Sequence, residues 1–295
     1  MNDDTRAHML TINRQQKDFY ESRFDASRAG TRHQERAANT TTNWWSALRH
    51  TVMQLRAQTG TDAQLEELHR TWLTPELPGA HVLDLGCFSG NPLSLWIAER
   101  AERYTGVDLS EQAIAELNDK LTERGLAPHA QAVAQDFLAN DYPDHSFDLV
   151  YARSVLHHFQ DISVVLREIQ RVLRPGGLVI TFDPLATEPF NRFARAVYRP
   201  FQTDRSWEWP FTRKTLYTIV KSFTVEAISG YGGMSKSAYP FLAFPPTQRV
   251  GQRVSRWATA YDARHTNHLG LPLYLCWGVT FRLRYQGFSR SPDPS

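Results

Sequence analysis

Two acidic residues in the middle of the chain have the spacing of a ligand site. Asp84 precedes a turn that contains Gly86 and Gly90, and Asp108 follows the next apolar run, 104–107. Glycine allows a tight turn and a close approach of the backbone to a ligand. A carboxylate at the end of the second strand can accept hydrogen bonds from both hydroxyls of a ribose. The pattern therefore predicts a site for a nucleotide-like cofactor.

Two common nucleotide sites are excluded by the residues of this turn. A nicotinamide fingerprint requires G-x-G-x-x-G, and a P-loop requires Gly-Lys followed by Ser or Thr; the turn has neither. Pro92 predicts that a helix begins at that residue. We expect its positive N-terminal end to face an anionic group of the ligand.

The elements that must position these residues alternate between strands and helices. Apolar runs predict strands near 81–85, 104–108, 130–135, 147–152 and 178–183. Apolar residues at three- and four-residue spacing predict helices between them, for example from Ile114 to Leu121 and from Ile162 to Leu173. This alternation requires a parallel sheet with right-handed crossovers, and ligands bind at the carboxyl ends of its strands. The Arg174–Gly177 segment is expected to end the last of these helices in a turn.

In these segments the chain resembles the class I S-adenosylmethionine (SAM)-dependent methyltransferases. Asp84, Gly86 and Gly90 match their first motif, D/E-x-G-x-G-x-G, whereas Phe88 replaces the middle glycine. The resemblance continues in the family's order through Asp108, 134–137, 147–150, 154–158 and 173–177. It implies a Rossmann-like, mostly parallel seven-stranded sheet with helices on both faces and an antiparallel last strand. It also implies SAM as cofactor and S-adenosylhomocysteine as product.

The resemblance assigns roles around the cofactor. Asp84 is expected near the cationic methionine end, Asp108 at the ribose diol, and Asp136 at the adenine amino group. Phe137 is expected to pack against the adenine ring, although a place in the core fits it equally well. The remaining expected cofactor-site residues are Gly86, Cys87, Phe88, Gly90, Leu109 and Arg153. The Phe88 ring must point into the core or toward the substrate, and a structural role for Arg153 is an open alternative.

Three side chains after the fourth and fifth strands are candidate general bases: His157, His158 and Asp183. Methyl transfer from a sulfonium is an in-line displacement, so positioning and exclusion of water supply much of the catalysis. A neutral hydroxyl or amine acceptor benefits in addition from a base with a pKa near neutrality, for which histidine is suited. The alternative for both histidines is that they shape the pocket.

Composition and motifs exclude several classes of protein. A balance of 33 basic and 31 acidic residues gives no electrostatic case for a nucleic-acid substrate, and no Asn/Asp-Pro-Pro-Tyr/Phe tetrapeptide follows the fourth strand. No metal site is predicted, because no ligand cluster has a recognisable spacing. Cys87 and Cys276 form no disulfide framework, which favours a reducing, cytoplasmic setting. Because residues 1–6 lack a basic start followed by an apolar core, and no apolar run approaches ~18 residues, we expect a protein that is neither secreted nor membrane-spanning.

We divide the chain into four parts. They are an N-terminal tail and helical cap (1–78), the SAM-binding core (79–229), an insertion that contributes to the substrate pocket (230–270), and a final strand with a polar tail (271–295). Residues 1–43 are expected to form a loose tail or a lid that orders over the ligand.

Further elements are expected on either side of the core. The cap holds two amphipathic helices, one from Trp44 to Leu55 after possible caps at 41–43 and one from Leu65 to Trp72. Trp44 and Trp45 either pack the cap onto the sheet or contact substrate. Other expected segments are a helical face at 190–197, a helix at 212–222, and strands at 224–229 and 279–285.

The leading functional hypothesis is methylation of a small molecule in a biosynthetic pathway, with oxygen as the favoured acceptor atom. Aromatic stretches at 207–211 and 239–244 are expected either to wall an apolar or aromatic pocket or to belong to the core. The 183–190 segment partly resembles methyltransferases of surface glycan and lipid pathways, which favours a lipid-linked or glycosylated acceptor. N- or C-methylation and a SAM-binding scaffold without turnover remain as alternatives.

Overall fold

The computed structural model describes residues 11–19, 21–22, 40–189, 192–193, 196 and 208–287. For residues 40–46, 48 and 49 it describes the backbone alone. The predictions for the Trp44, Trp45 and Trp207 side chains and for most of the 190–197 helical face lie outside the described residues.

A seven-stranded sheet forms the centre of the fold. In chain order the strands are β1 (His81–Leu85), β2 (Arg103–Asp108), β3 (Ala130–Ala134), β4 (Phe147–Arg153), β5 (Leu173–Pro184), β6 (Thr224–Tyr231) and β7 (Gly278–Arg284). Their order across the sheet is β3-β2-β1-β4-β5-β7-β6. Only β7 runs antiparallel to its neighbours within this sheet. The expected Rossmann-like architecture is confirmed.

Helices cover both faces of the sheet and continue into the cap and the insertion. They are α1 (11–19 and 21–22), α2 (Thr40–Gln58), α3 (Thr61–Leu73), α4 (Ser94–Ala98), α5 (Glu111–Glu123), α6 (Ile162–Val172), α7 (Arg213–Ser222), α8 (Tyr239–Leu242), α9 (Gln248–His265) and α10 (Leu271–Tyr274). One face of the sheet packs against α3, α4 and α5, and the other packs against α6 and α7. None of the helices in the described ranges has the length and apolarity needed to cross a bilayer.

The helix expected from Pro92 is displaced by two residues. It begins at Ser94 and spans five residues. Asn91 Oδ1 accepts from the Leu93 N–H at 2.9 Å, while the Asn91 N–H donates to Ser94 Oγ at 3.0 Å. These reciprocal bonds are those of a helix N-terminus, and they cap the turn that leads into α4.

The predicted turn at Arg174–Gly177 is also wrong. Helix α6 ends at Val172, and the chain continues directly into β5. Leu173 pairs with Phe147 of β4 before a register shift, and residues 176 and 177 exchange backbone hydrogen bonds with Tyr285. These cross-strand bonds hold the segment extended, although Gly176 keeps a positive φ of 84°.

A buried histidine joins the cap to the sheet. His69 of α3 lies with Nδ1 2.9 Å from Tyr151 Oη of β4 and Nε2 2.7 Å from Thr280 Oγ1 of β7. Burial, and secondarily the positive charge of Arg153, lowers the pKa of His69 to about 3. The neutral imidazole therefore bridges two strands to α3 at ordinary pH.

We expect His69 to make the protein sensitive to acid. The folded-state pKa is depressed, so the unfolded chain takes up a proton between about pH 6.5 and pH 3 that the folded protein does not, and stability falls as pH falls through this window. His69→Gln keeps two polar groups but cannot take up this proton. For each unit by which the pH is lowered in this window, the free energy of unfolding should therefore fall by about 1.4 kcal/mol less in the variant than in the wild type. Urea unfolding of both proteins across the window measures the difference; identical pH slopes would contradict it.

Candidate cofactor and active site

The loop after β1 forms the first wall of a cleft at the carboxyl edge of the sheet. Gly86 has a φ of 69°, a region that favours glycine. A Cβ there would lie 2.6 Å from a methyl group of Val155. The N–H groups of Gly86 and Cys87 donate to the Val107 carbonyl at 2.8 and 3.2 Å. The loop is therefore held close to both β2 and the segment after β4.

Phe88 occupies a strained position in this loop. Its φ is 47°, and Ser154, on the opposite wall of the cleft, has a φ of 58°. A side chain in this region costs free energy, and such strain clusters at functional sites. The Phe88 ring is 37% exposed and lines the cleft. Of the two orientations left open by the sequence, the ring thus points away from the core.

Asp108 holds the loop and faces the same cleft. Its Oδ2 accepts from the Phe88 N–H and its Oδ1 from the Ser110 N–H, both at 3.0 Å. Burial raises the pKa of Asp108 above its usual range. Each carboxylate oxygen can accept a second hydrogen bond. Asp108 therefore keeps acceptor capacity for a diol in the cleft.

Asp136 lines the cleft and contacts α1. Asn13 of α1 donates its amide to both oxygens, at 3.0 and 2.9 Å, while the Leu138 N–H donates to Oδ1 at 2.9 Å. The Asp136 carboxylate thus accepts hydrogen bonds from an amide NH₂ group, and the exocyclic NH₂ of an adenine is a donor of the same kind. Lys17 and Glu111 form an ion pair that also fastens α1 to the core.

The cleft brings together seven of the residues expected at the site. They are Gly86, Phe88, Asp108, Leu109, Asp136, Phe137 and His158. The remaining lining residues are Asn13, Gln16, Leu85, Val107, Gln135, Ser154, Val155 and Phe159. Phe137 satisfies both of its alternatives, because it lines the cleft while only 3% of it is exposed.

Asp84 lies beneath the loop and is not among the residues that line the cleft, so its place near the methionine end of SAM stays a prediction. It is fully buried, and its oxygens accept from the Asn91 amide, Ser94 Oγ and Tyr104 Oη at 2.5–3.1 Å. Burial raises the pKa of Asp84 to about 6. Its carboxylate supports the loop from below.

Three other expected residues also lie outside the cleft lining. Cys87 is buried under the loop, and Gly90, at φ 100°, turns the chain away. The Arg153 guanidinium lies 3.7 Å from Glu66 of α3. The placement of Arg153 supports its structural alternative.

A histidine and an aspartate form a pair beside the cleft. Asp183 is fully buried at the end of β5, and its Oδ1 lies 2.8 Å from His157 Nδ1 and accepts from the His157 N–H at 3.1 Å. Burial raises the pKa of Asp183 well above its usual range. The His157 and His158 rings lie 4.1 Å apart between centroids. The backbone N–H of Trp209 donates to the His157 carbonyl at 2.7 Å and holds this turn in place.

Comparison with known proteins identifies the family of the central domain. Residues 83–181 match the family model described as a methyltransferase domain. The chain is 32% identical to a sterol 24-C-methyltransferase of Gibberella zeae over 39% of this chain and 30% of that protein. It is 33% identical to the 27-O-demethylrifamycin SV methyltransferase of Amycolatopsis mediterranei over 38% of this chain and 41% of that protein. These matches span less than half the length of either relative.

Solved structures share the fold at low sequence identity. Geranyl diphosphate C-methyltransferase from Streptomyces coelicolor, in complex with S-adenosyl-L-homocysteine, superposes with a TM-score of 0.52 at 14% identity over 75% of this chain and 81% of that chain. The [4+2]-cyclase SpnF gives 0.50 at 18% identity over 76% and 83%. Fold alone does not decide the reaction. With the family match, however, residues 83–181 form a methyltransferase domain that has the fold of the class I SAM-dependent methyltransferases.

The cleft fits the cofactor of this class. Asp108 offers acceptor capacity for the ribose diol, and Asp136 already accepts from the NH₂ group of Asn13. Gly86 lets the loop lie against Val155, where a Cβ would collide. Phe137 and Val155 give the cleft apolar walls suited to a flat base. These residues would hold SAM.

We expect Phe88 to contribute its ring to binding at a cost in stability. Phe88→Ala and Phe88→Gly both remove the ring, but glycine also relieves the left-handed backbone. The glycine variant should therefore unfold with a free energy about 1 kcal/mol higher than the alanine variant, while both lose SAM affinity to a similar extent. Urea unfolding and calorimetric titration test this; an alanine variant as stable as the glycine variant would count against backbone strain.

Asp108→Ala should weaken SAM binding about 10- to 100-fold, because a hydrogen bond to a charged group contributes about 1.5–3 kcal/mol. Isothermal titration with SAM and S-adenosylhomocysteine measures the loss. The matched control is Asp141→Ala, which removes an exposed carboxylate elsewhere on the surface. Equal affinity in the two variants would show that Asp108 does not face the cofactor.

Proposed function

We propose that this protein transfers the methyl group of SAM to an oxygen atom of a small apolar acceptor, with His157 as general base. The contact of 2.8 Å between Asp183 Oδ1 and His157 Nδ1, beside the cleft wall formed by His158, carries this proposal. A positioned base is needed when the acceptor is a neutral hydroxyl.

Each residue has a defined task in this scheme. SAM, when bound, supplies an electrophilic methyl group on a sulfonium. Asp108 and Asp136 fix the orientation of its nucleoside. In this scheme Asp183 accepts from His157 Nδ1–H, and His157 Nε2 takes the proton of the acceptor hydroxyl. Asp183 holds the imidazole in this tautomer and stabilises the imidazolium that forms. Because methyl transfer is in line, most of the remaining catalysis is positioning and exclusion of water.

The character of the acceptor is supported by the cleft and by the relatives. Phe88, Val155 and Phe159 present apolar surface beside His158. The relatives include a 27-O-demethylrifamycin SV methyltransferase, a sterol 24-C-methyltransferase and a squalene methyltransferase of Botryococcus braunii. All of these names denote small molecules with extensive apolar surface. The His157–Asp183 pair favours oxygen over carbon as the acceptor atom.

The test is methyl transfer from labelled SAM to panels of apolar alcohols, phenols and alkenes, with product identification by mass spectrometry. We expect transfer to a hydroxyl compound, and we expect His157→Ala and Asp183→Asn each to lower kcat about 10²- to 10⁴-fold while SAM affinity is kept. His158→Ala, tested in parallel, separates the base from the neighbouring pocket wall. His268→Ala removes an exposed histidine and serves as control.

The outcomes separate the parts of the proposal. Transfer to an alkene carbon, with none to hydroxyls, would contradict O-methylation and leave the cofactor assignment standing. Unchanged kcat in His157→Ala and Asp183→Asn would reject the base. SAM binding without turnover on any acceptor would favour the scaffold alternative.

A further inference from the structure

Helix α9 of the insertion is firmly attached through one face. That face carries Gly251, Ser255, Ala258 and Asp262, all buried. The Asp262 carboxylate accepts from three consecutive N–H groups, those of residues 233–235, at 2.7–3.2 Å. Ser255 Oγ donates to the Thr59 carbonyl in the turn between α2 and α3. The orientation of the helix is therefore set by its buried face.

The opposite face carries a basic stripe of Arg249, Arg253, Arg256 and Arg264, all exposed. Steps of four, three and eight residues place these side chains on one side of a helix with 3.6 residues per turn. Asp262, the acidic residue of α9, lies on the buried face. Within the described part of the chain, none of the four guanidinium groups has a carboxylate at salt-bridge distance.

Apolar and aromatic side chains flank the basic stripe. Trp257 is 60% exposed and Val250 is 48% exposed on α9. The Trp257 and Tyr261 ring centroids lie 5.8 Å apart, and those of Tyr261 and His265 lie 4.0 Å apart, which forms an aromatic row beside the arginines. Phe244, just before the helix, is 64% exposed. Large apolar side chains beside unpaired arginines mark an interaction surface.

We propose that this face of α9 docks on an anionic phospholipid surface. An interfacial helix places arginines at lipid phosphates and inserts apolar side chains at the acyl boundary, with Trp at the headgroup level. Both halves of that pattern are present here. A nucleic acid would satisfy the arginines but would leave Val250 and Phe244 without an apolar partner.

The location of the helix gives the docking a consequence for the site. The insertion joins the end of β6 to the start of β7, where Tyr231 pairs with Gly278. Gly278 also pairs with Pro184, which follows Asp183. A bilayer at α9 would thus lie on the edge of the sheet that carries the His157–Asp183 pair. An apolar acceptor could then reach the site from the bilayer. That consequence rests on the proposed function, whereas the docking itself does not.

The test is co-sedimentation of the full chain with vesicles of phosphatidylcholine alone or mixed with phosphatidylglycerol. We expect binding to the anionic vesicles only, weakened by salt. Replacement of three arginines, Arg249→Gln/Arg253→Gln/Arg256→Gln, should lower the partition about 100-fold, at about fivefold per arginine. Trp257→Ala should lower it further. The matched control, Arg103→Gln/Arg167→Gln/Lys214→Gln, removes the same charge from exposed positions on β2, α6 and α7.

The outcomes decide between lipid and other occupants. Binding that survives in the arginine variant, or falls equally in the control, would overturn the proposal. Absence of binding to anionic vesicles at low salt would do the same. Tight binding to RNA that is indifferent to Trp257→Ala, without vesicle binding, would assign the face to a nucleic acid. SAM affinity, measured on every variant, reports on folding and tests the cofactor site independently.

Discussion

The buried carboxylate of Asp84 is the constraint on which the site depends. Its oxygens take hydrogen bonds from Asn91, Ser94 and Tyr104, so one acidic residue ties the loop after β1 to the following helix and to β2. A buried charged or polar group is costly unless it is satisfied in this way. The resulting loop places strained Phe88 and the carboxylate of Asp108 in the same wall. The cofactor cleft is thus built from below by a residue that does not line it.

Charge and exposure distinguish the cofactor cleft from the face of α9 that we propose docks on lipid. In the cleft, the Asn13 amide of α1 bonds to Asp136, the carboxylate expected to contact adenine. The α9 face, by contrast, carries exposed basic side chains. The net charge of +2 gives no indication of this face. A net charge is summed over the whole chain and does not report that Arg249, Arg253 and Arg256 lie on one side of a single helix.

Sequence reasoning predicted the sheet and most of the cleft because those features depend on local pattern. Buried strands are apolar runs, and the family motifs mark Asp108 and Asp136. It failed at residues 174–177, where backbone bonds between 176–177 and Tyr285 hold the chain extended and no local pattern reveals that distant partner. It also failed to identify Asn13 as a residue of the cleft. The polar N-terminal stretch has a weak hydrophobic period, and the place of Asn13 depends on a hydrogen bond to Asp136, 123 residues away in the chain. Arg153 was assigned to the site from strand position alone, which does not reveal that its side chain is directed at Glu66.

The crystal structure of the protein with S-adenosylhomocysteine is the measurement that tests the central claim most directly. The account predicts the ribose hydroxyls on the Asp108 carboxylate, the adenine amine on Asp136 with the Asn13 amide moved from its present position, and the homocysteine sulfur directed toward the His157–Asp183 pair. Ligand bound elsewhere, or in this cleft with its sulfur directed away from that pair, would contradict it.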